Sequence, residues 1–171
     1  MKKIVMIIAQ NGFRDEELLD PKAFFEKEKF EVIIAAPQKG LCKGMLGTVV
    51  QATHSLSEVT LNKVQAVVVV GGAKSPTLME EPLVGDILLQ AKENKLVVGA
   101  ICLAPMVVAS FGIINGMHTA MYKTEDAMAM LKKHGVGFLD ESVVVDDWYV
   151  SGNGPSVATK FAENVVETIK N

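Results

Sequence analysis

The sequence predicts an α/β fold in which an open, mostly parallel sheet carries helices on both faces. Residues 64–70 are dominated by valine, and such an apolar run is typical of a central parallel strand. Strand-like runs alternate with helical patterns, which favours βαβ connections. Hydrophobic residues make up 49% of the chain, which fits a sheet covered on both faces. The length of 171 residues fits one domain, and we expect it to span residues 1–171.

The N-terminal part of the chain predicts two strands with a helix between them. An Ile- and Val-rich run over residues 3–9 ends near Asn11 and Gly12, which we interpret as a turn. The next segment has helical spacing and an acidic start, and acidic side chains there offset the helix dipole, so capping explains each of them taken alone. The residues concerned are Asp15, Glu16 and Glu17 at the start, and Leu18, Leu19, Phe24 and Phe25 on the apolar face. The elements that follow are a strand over 30–36, a Gly- and Lys-bearing excursion over 37–47, and a short β segment over 48–52.

In the rest of the chain, glycine and proline mark the boundaries of the predicted elements. The valine-rich strand ends at a glycine pair, and a helix leads from there to a second buried strand. A hairpin near the C-terminus has its predicted turn at Asp146 and Asp147. The predicted elements are helices over 77–94, 104–111, 126–133 and 156–170, strands over 64–70 and 96–101, a short strand over 119–122, and the hairpin over 143–151.

Charge and cysteine content exclude several classes of protein. The net charge is −3 and no basic block occurs, which argues against a nucleic-acid or anionic-membrane surface. The two cysteines form no CxxC pattern, so we expect neither a disulfide framework nor a zinc site, and a reducing cytoplasm is the expected location. The uncharged run over 96–114 is interrupted by Pro105 and Gly112, so we expect no membrane span there.

Cys102 lies where the strand over 96–101 ends, and Pro105 suits the first turn of the following helix. The pattern predicts a strand-to-helix elbow on a strained backbone, beside helix N–H groups that favour a thiolate. Cys102 is therefore a candidate nucleophile, and a buried structural cysteine is the alternative. If the two strands are neighbours, the loop at Gly72 opens on the same rim. The N–H groups of Gly72 and Leu103 are then candidate oxyanion donors, with an ordinary turn as the alternative.

Four short motifs in register resemble the ThiJ/PfpI superfamily over essentially the whole chain. They are Gly12-Phe13-x-Asp15-x-Glu17-x-x-x-Pro21, Gly71-Gly72, Ala100-Ile101-Cys102-x-x-Pro105 and Gly154-Pro155. The resemblance implies a flavodoxin-like three-layer sandwich related to class I glutamine amidotransferases, assembled as a homodimer or a larger homo-oligomer. It also implies that Cys102 is the reactive thiol and that Glu17 lies against it. We expect a partly protonated Glu17 that donates a hydrogen bond to the sulfur, while Asp15 and Glu16 keep a capping role.

The chain departs from the family pattern at three positions. The residue after the cysteine is Leu103, where the protease-like branch has a histidine, so an intracellular cysteine peptidase is disfavoured. The branch of the parkinsonism-associated deglycase also lacks that histidine and is the closer resemblance. That branch has a histidine where Met121 stands here and an arginine where Asn153 stands.

The resemblance and the residues together predict an enzyme that acts on small reactive aldehydes without cofactor or metal, as glyoxalase III or a deglycase does. Cys102 would form a hemithioacetal and Glu17 would move a proton through an enediolate. The alternative is a redox-sensing or chaperone-like stress protein in which Cys102 is oxidised without turnover. A scaffold that keeps the elbow only as structure is a third hypothesis.

Overall fold

A seven-stranded, mostly parallel sheet with helices on both faces forms the body of the protein, in a computed structural model that describes residues 1–171. The helices are α1 (Asp15–Lys27), α2 (Pro82–Glu93), α3 (Ala104–Ser110), α4 (Glu125–Lys133) and α5 (Ala158–Lys170). The strands are β1 (Lys3–Ile7), β2 (Asn11–Phe13), β3 (Glu31–Ala36), β4 (Gly40–Gly44), β5 (Val49–Ala52), β6 (His54–Ser55), β7 (Val64–Val69), β8 (Val97–Ile101), β9 (His118–Thr119), β10 (Gly137–Phe138), β11 (Val143–Asp146) and β12 (Tyr149–Gly152). This is the three-layer arrangement expected of a flavodoxin-like fold.

The strand order of the main sheet is β11-β12-β8-β7-β1-β3-β6. All neighbours pair in parallel except β11 and β12, which form the predicted antiparallel hairpin at one edge. Strands β7 and β8 are adjacent, so the segments that follow them share one rim of the sheet.

Alternate residues of the central strands supply two separate hydrophobic layers. Val5 and Ile7 of β1 face the layer covered by α2, α3 and α4, whereas Ile4 and Met6 face the layer covered by α1 and α5. Burial on both faces explains why these strands read as continuous apolar runs. Helix α1 is thereby held against the same side of the sheet as α5.

Residues around the Asn11–Gly12 pair form a strand instead of the expected turn. Strand β2 pairs with β4, and β4 pairs with β5, so the predicted excursion over 37–47 contains one strand of a small three-stranded sheet. Gly12 still has a φ of 77°, which explains the turn-like sequence.

Two other elements differ from the sequence-based expectation. The predicted helix over 77–94 is divided into a 3₁₀ helix over Ser75–Glu80 and α2, which begins at Pro82. Proline lacks the N–H that an uninterrupted helix needs and suits a first turn, which accounts for the break. The predicted strand over 119–122 is only β9, and it pairs with β10 outside the main sheet. No helix combines the length and apolar character needed to cross a membrane.

Candidate active site

Cys102 occupies a sharp elbow between β8 and α3. Its φ is 62°, a left-handed conformation that costs a non-glycine residue on the order of 1 kcal/mol or more. Two hydrogen bonds hold this backbone. The Cys102 N–H donates to the Gly152 carbonyl at 2.9 Å, and the Cys102 carbonyl accepts from the Tyr122 N–H at 2.8 Å. The strained backbone predicted for the elbow is therefore present.

The Cys102 side chain opens into a cavity of about 320 Å³. Only 9% of the residue is exposed, so a reagent reaches it through this cavity. The lining residues are Arg14, Met45, Gly72, Ala73, Cys102, Leu103, Tyr122 and Pro155. Most of the lining is apolar or backbone, and Arg14 is the charged side chain among these residues.

Glu17 projects from α1 to the rear of the elbow and is completely buried. A Cβ atom placed on Gly71 would lie 2.5 Å from Glu17 Oε1 and 2.6 Å from Cys102 Cβ. The carboxyl and the cysteine therefore pack against the same face of Gly71. The Cys102 thiol and the Gly71 N–H lie close enough to the Glu17 carboxyl to lower its pKa, although neither contact has full hydrogen-bond geometry. The expected hydrogen bond from Glu17 to the sulfur therefore stays a prediction. A buried carboxyl without partners is rare because burial without hydrogen bonds is costly.

Burial raises the pKa of the Glu17 carboxyl to about 7, and the nearby thiol and the Arg14 guanidinium limit that rise. This direction agrees with the expectation of a partly protonated Glu17. Burial raises the pKa of the Cys102 thiol to about 12, and the charge of Glu17 acts in the same direction. Burial and the carboxylate therefore act against the expected thiolate, whereas the N–H groups of Gly72 and Leu103 favour it.

The backbone N–H groups of Gly72 and Leu103 lie close enough to the sulfur to lower its pKa in part. Neither of them donates to a backbone carbonyl, so both are free for a ligand. Gly72 has a φ of 123°, and a Cβ there would lie 2.4 Å from the Arg14 nitrogen. Only glycine fits between the two segments, so packing alone explains why position 72 is a glycine.

Asp15 and Glu16 lie in the first turn of α1, where the sequence-based expectation of a charge that offsets the helix dipole places them, and each also makes contacts beyond the helix. The buried Asp15 carboxylate accepts hydrogen bonds from the N–H groups of Leu46 and Thr48, at 2.9 and 2.8 Å, and so attaches the β4–β5 connection to the helix. Burial alone would raise the pKa of Asp15, but these hydrogen bonds hold it below its usual range. Glu16 pairs with Arg14 instead, with 2.6 Å between Oε2 and Nε.

Arg14 is the residue of the cavity that sequence reasoning missed. Its backbone N–H donates to the Gly71 carbonyl at 2.9 Å, which fixes the start of α1 against the elbow loop. A cation at a helix N-terminus opposes the helix dipole, and that unfavourable placement is the sequence feature that could have identified it.

The other reactive residues lie outside the cavity. None of His54, His118 and His134 lines it, and Cys42 is buried beside Gln10 in the small sheet. Met121, at the position of the family histidine, lies in the core. No group of three His, Cys, Asp or Glu side chains is arranged to hold a metal ion.

The chain is similar to known proteins over most of its length. The DJ-1/PfpI family matches residues 2–168. The glutathione-independent glyoxalase DJR-1.2 of Caenorhabditis elegans is 30% identical over 68% of this chain and 61% of its own length. The deglycase PfpI of Pyrococcus furiosus is 29% identical over 97% of this chain and 99% of its own.

A solved structure supports the same fold. The ThiJ/PfpI domain protein of Brachyspira murdochii superimposes with a TM-score of 0.93 over 99% of this chain and 98% of its own, at 24% identity. The match to the family extends over nearly the whole sequence, from β1 to α5. This chain is a member of the DJ-1/PfpI family.

Proposed function

We propose that this protein is a cysteine-dependent enzyme that converts small reactive aldehydes without a cofactor, by glyoxalase- or deglycase-type chemistry. Cys102 is the nucleophile, Glu17 carries the proton, and the N–H groups of Gly72 and Leu103 stabilise the oxyanion. One observation carries the proposal: a fully buried carboxyl packs beside the elbow cysteine, against the same face of Gly71.

The first step joins the thiol to the aldehyde. As the sulfur–carbon bond forms, the thiol proton passes to the Glu17 carboxylate, and the carbonyl oxygen becomes an alkoxide held by the two backbone N–H groups. Transfer to Glu17 removes the need for a thiolate at rest. A carboxyl with a pKa of about 7 suits this exchange, because it both accepts and returns protons near neutral pH.

The later steps move one proton between adjacent carbons of a 2-oxoaldehyde. Glu17 first gives the thiol proton to the alkoxide, which yields the neutral hemithioacetal and restores the carboxylate. Glu17 then removes the hydrogen from the carbon that bears sulfur, and the electrons form an enediolate. The hydroxyl proton moves between the two oxygens, and Glu17 returns its proton to the neighbouring carbon. The product is a thioester of a 2-hydroxy acid. Water hydrolyses it, so that methylglyoxal plus one water gives lactate and the free thiol.

The names of two relatives support this reaction class, since one is a glyoxalase and the other a deglycase. The cavity contains no histidine to protonate a leaving amine, which weighs against a peptidase.

The test is turnover of methylglyoxal in heavy water, with lactate measured by NMR. We expect lactate that carries solvent deuterium at C2, and loss of turnover in Cys102→Ala and Glu17→Gln. Cys42→Ala is the matched control, because Cys42 is also buried but lies outside the cavity. Full activity of Cys102→Ala would refute the mechanism. Lactate without deuterium would indicate that the buried Glu17 returns the same proton before it exchanges with solvent. Full turnover by Glu17→Gln would remove the role given to Glu17.

A further inference from the structure

The Arg14 side chain is placed in the cavity by contacts that do not use up its hydrogen-bonding capacity. The backbone of Arg14 is fixed by its hydrogen bond to Gly71, and its Nε is held by Glu16 Oε2 at 2.6 Å. The side chain makes no other hydrogen bond within the protein. A guanidinium has five N–H donors, so its two terminal amino groups are left for a ligand.

The cation of Arg14 lies in a cavity whose lining is otherwise mostly apolar. Arg14 is the charged group of the lining, and the other side chains are apolar apart from Cys102 and Tyr122. Glu16, with 37% of its side chain exposed, pairs with Arg14 and offsets part of its charge. The cavity of about 320 Å³ lies at the lower end of the range for small-molecule sites, which leaves space beyond a three-carbon aldehyde.

We propose that Arg14 is a specificity residue that binds an anionic group of the substrate, and that the preferred substrates are 2-oxoaldehydes with a carboxylate at the far end. A guanidinium recognises a carboxylate through two parallel N–H bonds, which also orients the aldehyde toward the sulfur. The substrate class rests on the proposed function, whereas anion binding by Arg14 does not.

Alkylation separates the two claims because it needs no turnover. Iodoacetate and iodoacetamide have similar size and the same reaction: the Cys102 sulfur bonds to the methylene carbon, iodide leaves, and the thiol proton passes to Glu17 or to solvent. Only iodoacetate carries a carboxylate. We measure the rate ratio of the two reagents at Cys102 by peptide mass spectrometry, at a fixed pH and low salt.

In the wild type we expect an iodoacetate-to-iodoacetamide ratio about tenfold higher than in Arg14→Met, because a charge-assisted hydrogen bond is lost. Arg14→Lys should retain part of the preference. Lys22→Met is the matched control, since Lys22 also pairs with a glutamate at 2.6 Å and has the same 31% side-chain exposure, but lies outside the cavity. Its ratio should equal that of the wild type.

Glu16→Gln is a second test of anion binding by Arg14, and it does not require that Arg14→Met folds. Removal of the offsetting carboxylate should raise the ratio above that of the wild type, whereas an unchanged or lower ratio contradicts the role of Arg14. A ratio that is equal in the wild type, Arg14→Met and Lys22→Met overturns the inference.

Turnover of 4,5-dioxopentanoate and methylglyoxal then tests the substrate class. We expect the ratio of their kcat/KM values to fall about tenfold in Arg14→Met, mainly through KM. Turnover of methylglyoxal with no dependence of this ratio on Arg14 refutes the substrate class and leaves the proposed function intact. If neither substrate is converted, the proposed function fails and the substrate class with it, while the alkylation ratio still decides whether Arg14 binds anions.

Discussion

Replacement of Glu17 by glutamine should stabilise the protein at neutral and alkaline pH while it abolishes turnover. Burial raises the pKa of this carboxyl from 4.5 to about 7 in the folded state. One pKa unit corresponds to about 1.4 kcal/mol, so the ionised carboxylate costs the fold about 3 kcal/mol. The residue is completely buried, so solvent does not reduce this value. Glutamine has nearly the same shape and carries no charge.

The sign of the effect follows from the pH range over which the folded and the unfolded state each hold the proton of Glu17. Below pH 4.5 the carboxyl is protonated in both states, and the penalty is absent. Between pH 4.5 and about 7 the unfolded chain is ionised while the folded protein holds its proton, so the wild type loses stability as the pH rises. Glu17→Gln does not titrate. Its stability relative to the wild type should therefore increase by about 3 kcal/mol between pH 4 and pH 8.

Urea unfolding of both proteins over this pH range measures the difference directly. Glu163→Gln on α5 is the control, because that exposed carboxyl makes no side-chain hydrogen bond or ion pair and its substitution should give a difference independent of pH. A difference between Glu17→Gln and the wild type that stays constant from pH 4 to pH 8 would refute the assignment of Glu17 as a buried, destabilising carboxyl.

Three further substitutions test the surroundings of the site. Gly71→Ala would place a methyl carbon 2.4 to 2.6 Å from the Ile101 carbonyl oxygen, Glu17 Oε1 and Cys102 Cβ. We therefore expect at least a 100-fold loss of kcat, measured with methylglyoxal. Asp15→Ala removes the acceptor of the Leu46 and Thr48 N–H groups, and urea unfolding at pH 7 should show a loss of about 2 kcal/mol. Thr124→Ala removes the side-chain cap of α4 and should lower the unfolding free energy by about 1 kcal/mol, with turnover unchanged. A loss of activity in this variant would contradict the boundaries assigned to the site.

The parts of the fold that the sequence predicts well are those decided by local pattern and burial. The valine-rich strand β7 and the edge hairpin follow directly from their composition, and the hairpin turn lies within one residue of its predicted position, at Asp147 and Trp148. Strand β2 was missed because its residues are extended only through pairing with β4, about 30 positions later. Local propensity contains no information about that partner.

The site shows the same division between local and long-range information. The elbow at Cys102 is a local feature of strand, small residues and proline, and the expected strain is present in its φ. Its protonation state stays a prediction, because the burial that raises the thiol pKa depends on how all the neighbouring segments pack, and local sequence does not contain that information. Arg14 was missed for a related reason: the cavity it lines is formed by residues from position 14 to position 155.

Cys102 and Glu17 come from opposite halves of the polypeptide and meet only because β7 lies between β1 and β8. A chain in which the central strands have not yet paired therefore has an ordinary, accessible thiol with no acid behind it. Labelling of that thiol during refolding should become much slower when the sheet closes, because reagents then reach it only through the cavity. The residue that starts the chemistry therefore also reports when assembly is complete.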